Sequence, residues 1–287
     1  MATPLRSDAP FGGLGDLLRE WRRRRHQSQL ALALQAGVSQ RHLSFVESGR
    51  AQPSRDMVLL LAEHLDVPLR DRNRMLVAAG FAPMFPERPL DDPALDAARR
   101  AIARVLEAHE PYPALAIDRH WTMVSANRAI GPLLAGVAPA LLEPPVNVLR
   151  LSLHPDGLAP RIANLGQWRA YLLQRLQREC ELTGDAQLEA LFEELRDYPV
   201  RHGTQGARPS SIAHADSRVF VPFELETDAG LLSFIGTTTV FGTPVDVTVS
   251  ELALECFFPA DATTARYLAG SVSAAAARSA TGTSGSA

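Results

Sequence analysis

Ser210, Ser211, His214 and Asp216 bring hydroxyl, imidazole and carboxylate groups into one short stretch, the set that acyl transfer needs. They stand in a run rich in Gly, Ser, Arg and Pro, Pro199 to Asp216, that reads as a mobile loop. No Gly-x-Ser-x-Gly elbow holds either serine. Gly12-Gly13-Leu14-Gly15 precedes a helix without a strand before it, so it does not read as a dinucleotide loop. No His/Cys set has zinc spacing, and His154-Pro155-Asp156-Gly157 reads as a turn. All 29 basic residues of the 287-residue chain are arginine. Without lysine there is neither a P-loop phosphate contact nor a Schiff base. The chain is therefore expected not to be an enzyme, and no metal or cofactor is expected. Each of its cations is a permanently charged, planar five-donor fork.

Those forks are unevenly placed. Residues 1–89 carry 13 Arg and 9 acidic residues, a net of +4, whereas 90–287 carry 16 Arg and 23 acidic residues, a net of −7. Such asymmetry points to an anion-binding piece fused to something else. The run Arg22 to Arg25 concentrates much of the positive charge, although charge alone fits a solvated helix face equally well. With 46% hydrophobic and 21% charged residues, the chain has the composition of a soluble globular protein of about two domains. No long apolar run or signal segment is seen, which implies a cytoplasmic protein without a membrane partner. Cys180 and Cys256 fit two reduced thiols better than a disulfide.

Prolines at 83, 86, 89 and 93 bar regular structure and mark 82–93 as a stiff, Pro-rich linker. Before it, residues 10–81 read as five short helices. Leu14, Leu17, Leu18 and Trp21 form the apolar stripe of the first. Ser28, Ser39 and Ser54 are N-caps for the second, third and fourth, and Gly37 and Gly49 end the second and third. The fifth helix stops at Gly80. Two short helices joined by a tight Gly turn make a helix-turn-helix pattern.

The residues themselves resemble a family. Gln29 through Ser39 (Gln-Leu-Ala-Leu-Ala-Leu-Gln-Ala-Gly-Val-Ser), then Leu43 through Arg50 and Pro53-Ser54, look like the Cro/phage-repressor, or XRE, type of DNA-binding domain. The resemblance covers about residues 13–80. It implies that Gln29 touches a phosphate, that Gln40, Arg41 and Ser44 face bases in the major groove, and that Phe45 meets a thymine methyl. It places His42 and Arg50 toward phosphates, and puts Ser39 at the start of the recognition helix. It also implies a partly buried Arg22–Glu47 ion pair. Arg grips guanine and Gln grips adenine bidentately. Leu30 and Leu34 depart from the family's usual polar residues and suggest an extra contact surface. With only +4 on this domain, tight binding implies a homodimer on a near-palindromic double-stranded operator.

Residues 94–270 read as an α+β domain. A helix from Pro93 to about His109 leads to strands Pro113–Asp118 and Trp121–Ala126, and Asn127 is expected to cap a short helix to Leu134. Long helices follow over Ile162–Cys180 and Asp185–Arg196. Three strands, Arg218–Glu226, Leu231–Phe241 and Val245–Phe258, join by hairpins at Thr227–Gly230 and Gly242–Pro244. Residues 271–287 read as a disordered tail. The element order is PAS-like with an antiparallel sheet.

The stretches Glu110–Ala114, Asp118–Trp121, Ala126-Asn127, Leu153–Leu158, Phe234–Pro244 and Glu255–Ala260 resemble the ligand-binding domain of MmyB-like transcription regulators. That resemblance implies a transcription regulator controlled by a small hydrophobic, fatty-acid-like ligand. Candidate pocket residues are Trp121, Met123, Arg128, Leu133, Leu149, Trp168, Tyr171, Leu172, Phe234 and Val240, although for any single one of the apolar ones plain core is the stronger reading. Head-group anchors could be Arg128, His154, Asn164 or Arg169. The alternative is a DNA-binding dimer whose second domain is a protein-interaction module without a small ligand.

Overall fold

The computed structural model describes residues 12–199 and 220–270. The tail expected over 271–287 and the Ser210–Asp216 cluster lie outside the described residues, as does all of the Pro199–Asp216 stretch except Pro199. The chain forms two compact units. One holds residues 12–90 together with Thr243–Ser250, and the other holds the remaining described residues.

The first unit contains α1 (Leu14–Arg24), α2 (Gln29–Gln35), α3 (Gln40–Glu47), α4 (Arg55–His64) and α5 (Leu69–Ala78). Three serines start helices as the sequence predicts. Ser28, Ser39 and Ser54 Oγ accept the N–H groups of Ala31, His42 and Met57 at 3.0, 3.1 and 3.2 Å. Gly37 takes φ +66° and reverses the chain between α2 and α3, a conformation that costs a residue with a Cβ about 1–2 kcal/mol. The apolar stripes meet in a core around Leu18, Leu32, Leu43, Leu65 and Leu76, each fully buried.

Gly15 is needed for another reason. A Cβ there would sit 2.3 Å from the carbonyl oxygen of Glu47, where α1 crosses the end of α3. Neither backbone can yield easily. Gly15→Ala is therefore expected to cost about 1–3 kcal/mol, against the usual gain from Ala in a helix. Chemical denaturation of the variant showing unchanged or raised stability would refute this close approach.

The second unit opens with α6 (Asp96–His109). Then come β1 (Ala114–Ile117), β2 (Met123–Ala126), α7 (Ile130–Leu133), α8 (Val148–Leu153), α9 (Leu165–Thr183) and α10 (Ala186–Asp197). It closes with β3 (Phe223–Thr227), β4 (Gly230–Val240) and β5 (Ala253–Pro259), and residues 262–270 are helical. Among the described residues, five strands form one antiparallel sheet in the order β2-β1-β5-β4-β3. β1 and β5 are central, so β1 is buried along its whole length. Helices cover the sheet, and the core runs from Leu115 and Trp121 through Leu149, Leu172 and Leu176 to Phe234. Among the described residues no helix is long and apolar enough to cross a membrane.

Two local expectations are overturned. The strand expected over Val245–Phe258 is present only from Ala253. Residues Thr243–Ser250 leave the sheet, and Val247–Ser250 forms a helical turn, α11. Pro244 cannot donate to a ladder. Asp246 accepts the Thr248 N–H (2.9 Å) and pairs with Arg88 (2.8 Å), while the Val247 N–H donates to the Pro86 carbonyl (2.8 Å). These bonds satisfy the segment outside the sheet. Asn127, expected as a helix cap, is instead a buried tie. Its Oδ1 accepts the Ala114 N–H at 3.1 Å, and its amide donates to Leu106 and Tyr112 carbonyls. Ala129 occupies the N-cap position of α7 and makes no side-chain bond.

Candidate nucleic-acid interface and ligand cavity

α3 turns Leu43 and Val46 into the core, at 0% and 2% exposure. That leaves Gln40 and Arg41 exposed and Ser44 and Phe45 half-exposed on its other sides. The Arg41 guanidinium lies 5.3 Å from the Phe45 ring centre, within cation–π reach. Ser39 caps the helix and is itself exposed, His42 is half-buried, and Arg50 projects from the turn after Gly49. The structure thus puts Gln40, Arg41, Ser44 and Phe45 on the solvent side of one short helix.

The helix is locked from behind. Arg22 grips Glu47 with two bonds of 2.7 and 3.0 Å and donates a third to the Gln27 carbonyl. Gln29 Nε2 donates to the same carboxylate at 2.8 Å, and Arg19 donates to the Glu47 carbonyl at 2.7 Å. Burial works against ionisation of Glu47, but the bonds from Arg22 and Gln29 more than offset it and hold its pKa below the ordinary carboxylate value. Part of the arginine run is therefore built into the fold rather than presented outward. Arg25 likewise donates to the Leu65 and Asp66 carbonyls, both at 2.8 Å, and Arg24 pairs with Glu20. On α2, Leu30 and Leu34 stand exposed.

In the second unit an apolar cavity of about 110 Å³ lies between the sheet and the helices, against roughly 10–15 Å³ needed for one water. Trp168, Tyr171 and Leu172 reach it from one face of α9, where they recur at helical spacing. Met123 comes from β2, Leu133 from α7 and Leu149 from α8, and Trp121 from the turn before β2. Trp121 holds φ +64°, an outlier for a bulky side chain. Arg128, Phe234 and Val240 do not line the cavity. Arg128 is exposed and pairs with Glu110, Phe234 is sealed in the core, and Val240 is exposed at the end of β4.

The other expected anchors make hydrogen bonds within the fold. Asn164 ties Pro222 to Glu224, and Arg169 donates to the Leu195 and Arg196 carbonyls. His154 accepts the Asp156 N–H and packs edge-on against Tyr198.

The polar end of the cavity went unnoticed in the sequence. Arg175 and Glu255 line it, the Arg175 Nη2 donating at 2.7 Å and Nη1 at 3.3 Å. The guanidinium carbon sits 4.4 Å from the Trp121 ring centre, and Nε is 3.4 Å from Glu179. Trp121 Nε1 donates to Glu179 at 2.8 Å, and Thr238 donates to Glu255 at 3.0 Å. Although burial opposes its charge, the carboxylates hold Arg175 protonated above its ordinary range; burial pushes the Glu179 carboxyl up. The signals were present: Arg175 continues the Trp168–Tyr171–Leu172 face by one turn, and Glu255 interrupts an apolar strand.

A family model described as MmyB-like transcription regulator ligand binding domain matches residues 98–270, and a helix-turn-helix model matches 18–71. No curated protein matches the chain.

Proposed function

The chain belongs to the MmyB-like transcription regulators, and we propose that it binds a specific DNA operator through α3 under the control of a small, largely apolar ligand held in the second unit. The observation that carries the DNA reading is the α3 surface: Gln40, Arg41 and Ser44 face outward from a helix anchored behind by Arg22, Glu47 and Gln29. Arg41 reads guanine and Gln40 reads adenine, and His42 and Arg50 lie beside them for the phosphates. A homodimer on a near-palindrome doubles these contacts, which one weakly basic unit needs.

The cavity supports the ligand half of the reading. Gly236 of β4 and Glu255 and Phe257 of β5 line it, and these two strands are joined through Thr243–Ser250, the segment that belongs to the first unit. A ligand that favours one strand arrangement over another can therefore bias the DNA-binding unit through covalent chain, by its differential affinity for the two states.

Operator selection from random duplexes, followed by binding titrations of wild type and Arg41→Ala, tests the proposal. The variant is expected to lose about 1–3 kcal/mol of discrimination at one base pair of each half-site. Its salt dependence should stay nearly unchanged, because the phosphate contacts remain. An unaltered base preference in both Arg41→Ala and Gln40→Ala would overturn the assignment of α3. Operator affinity unmoved by any hydrophobic extract, together with native mass spectra showing only bare protein, would overturn the ligand half.

A further inference from the structure

We propose that residues 1–11 dock back onto the first unit, in a groove between α1, α5 and the start of the proline-rich linker, with Phe11 as the anchor. The groove encloses about 900 Å³, and every residue lining it belongs to the first unit. One wall is a stripe of α5, where Arg70, Asn73, Arg74, Val77 and Ala78 recur at the spacing of a single helical face. Another is Pro83 to Glu87, which Asn73 fixes in place. Its Oδ1 accepts the Met84 and Phe85 N–H groups at 2.9 and 3.0 Å, and its amide donates to the Phe85 carbonyl at 2.7 Å. The groove is therefore built in advance of any occupant. Its apolar part is uncovered, with Val77 57% and Met84 48% exposed.

The path of the chain identifies the occupant. Gly12 and Gly13 line the groove, so residue 11 stands at its mouth by covalent connection. Gly13 is the N-cap of α1; it is extended, at φ −60° and ψ 167°, and makes no side-chain cap bond. An apolar residue just before an N-cap commonly packs against the fourth residue of the helix. That fourth residue is Leu17, which is half-buried and lines the groove. Gly12 has no side chain for this contact, so it falls to Phe11. Leu5, Ala9 and Pro10 supply further apolar surface. Reach is ample: eleven extended residues span about 36 Å, against about 12 Å for the α5 stripe. Pro4 and Pro10 have no N–H group that would need a partner in an apolar groove.

The test is the rate at which dilute hydrogen peroxide oxidises Met84, read by mass spectrometry of the tryptic peptide Met75–Arg99. Methionine oxidation follows exposure, and Met75 in the same peptide is 1% exposed, so it reports whether the unit stays folded. In the full chain Met84 is expected to react about fivefold or more slowly than in a variant lacking residues 2–11, with Met75 slow in both. Phe11→Ser in the otherwise complete chain should free Met84 to a similar degree. Should the deletion expose Met75 as well, Val77→Asp decides by the same readout, because it changes a side chain on the surface of α5 and leaves the core intact. Met84 reacting equally fast in the full chain, in Phe11→Ser and in Val77→Asp overturns the proposal. Protection that is lost on dilution also overturns it, since the occupant would then be a second copy of the chain.

Discussion

Glu47→Ala is expected to destabilise the DNA-binding unit by about 3–5 kcal/mol, because it leaves Arg22 without its partner in a largely buried position. The Glu47 side chain is 1% exposed and that of Arg22 12%. Three side chains converge on the carboxylate from α1 and α2, so its loss frees the end of α3 as well as uncovering a charge. DNA binding should fall with it, since Gln40 and Arg41 depend on the placement of that helix. Thermal and urea melts of the full chain check the magnitude, and a cost below about 1 kcal/mol would show the pair to be dispensable.

The same pair sets a pH dependence. The folded-state pKa of Glu47 lies below its unfolded value of about 4.3, so the folded protein binds fewer protons through the acid range. Its stabilisation is complete above the ordinary carboxylate range and is lost as the pH falls through the folded value. Glu47→Gln, which cannot titrate, should flatten that part of the acid unfolding curve.

At Trp121 two truncations are expected to rank in an unusual order. Trp121→Ala should cost about 3–5 kcal/mol, since it removes a side chain 4% exposed, its bond to Glu179 and the ring beneath Arg175. Trp121→Gly removes the same atoms but accommodates φ +64° without a Cβ. It should therefore be more stable than Trp121→Ala by roughly 1 kcal/mol, the reverse of the order in a helix or strand. Equilibrium urea unfolding of both variants decides the matter. Ala more stable than Gly would mean that the left-handed backbone there carries no strain. Both should lose the fluorescence response to a bound ligand contributed by Trp121, with Trp168 remaining as the reporter.

The short-range content of the chain was largely legible. Helices α1 to α5 follow from apolar spacing, serine caps and Gly37, because each of these acts over one or two turns. Arg22–Glu47 was reached only by resemblance, since nothing local joins residues 25 apart. The cavity face of α9 was visible as Trp168, Tyr171 and Leu172, whereas Arg128, Phe234 and Val240 sit elsewhere because strand register and burial are collective properties. Val245–Ser250 reads as the start of the last strand, with Gly242–Pro244 as the turn before it. The contacts that remove it from the sheet lie at Pro86 and Arg88, about 160 residues earlier.

Arginine shows the division most clearly. The sequence by itself determined that every cation is arginine, that the first part of the chain is basic and the second acidic, and that a helix-turn-helix precedes an α+β domain. Only the tertiary structure decided what each fork does. Arg22 and Arg25 hold helices together, Arg41 is left on the surface, and Arg175 closes one end of the cavity. Composition and periodicity act along the chain, but an ion pair forms where folding brings two distant groups together and excludes the water that would otherwise screen them.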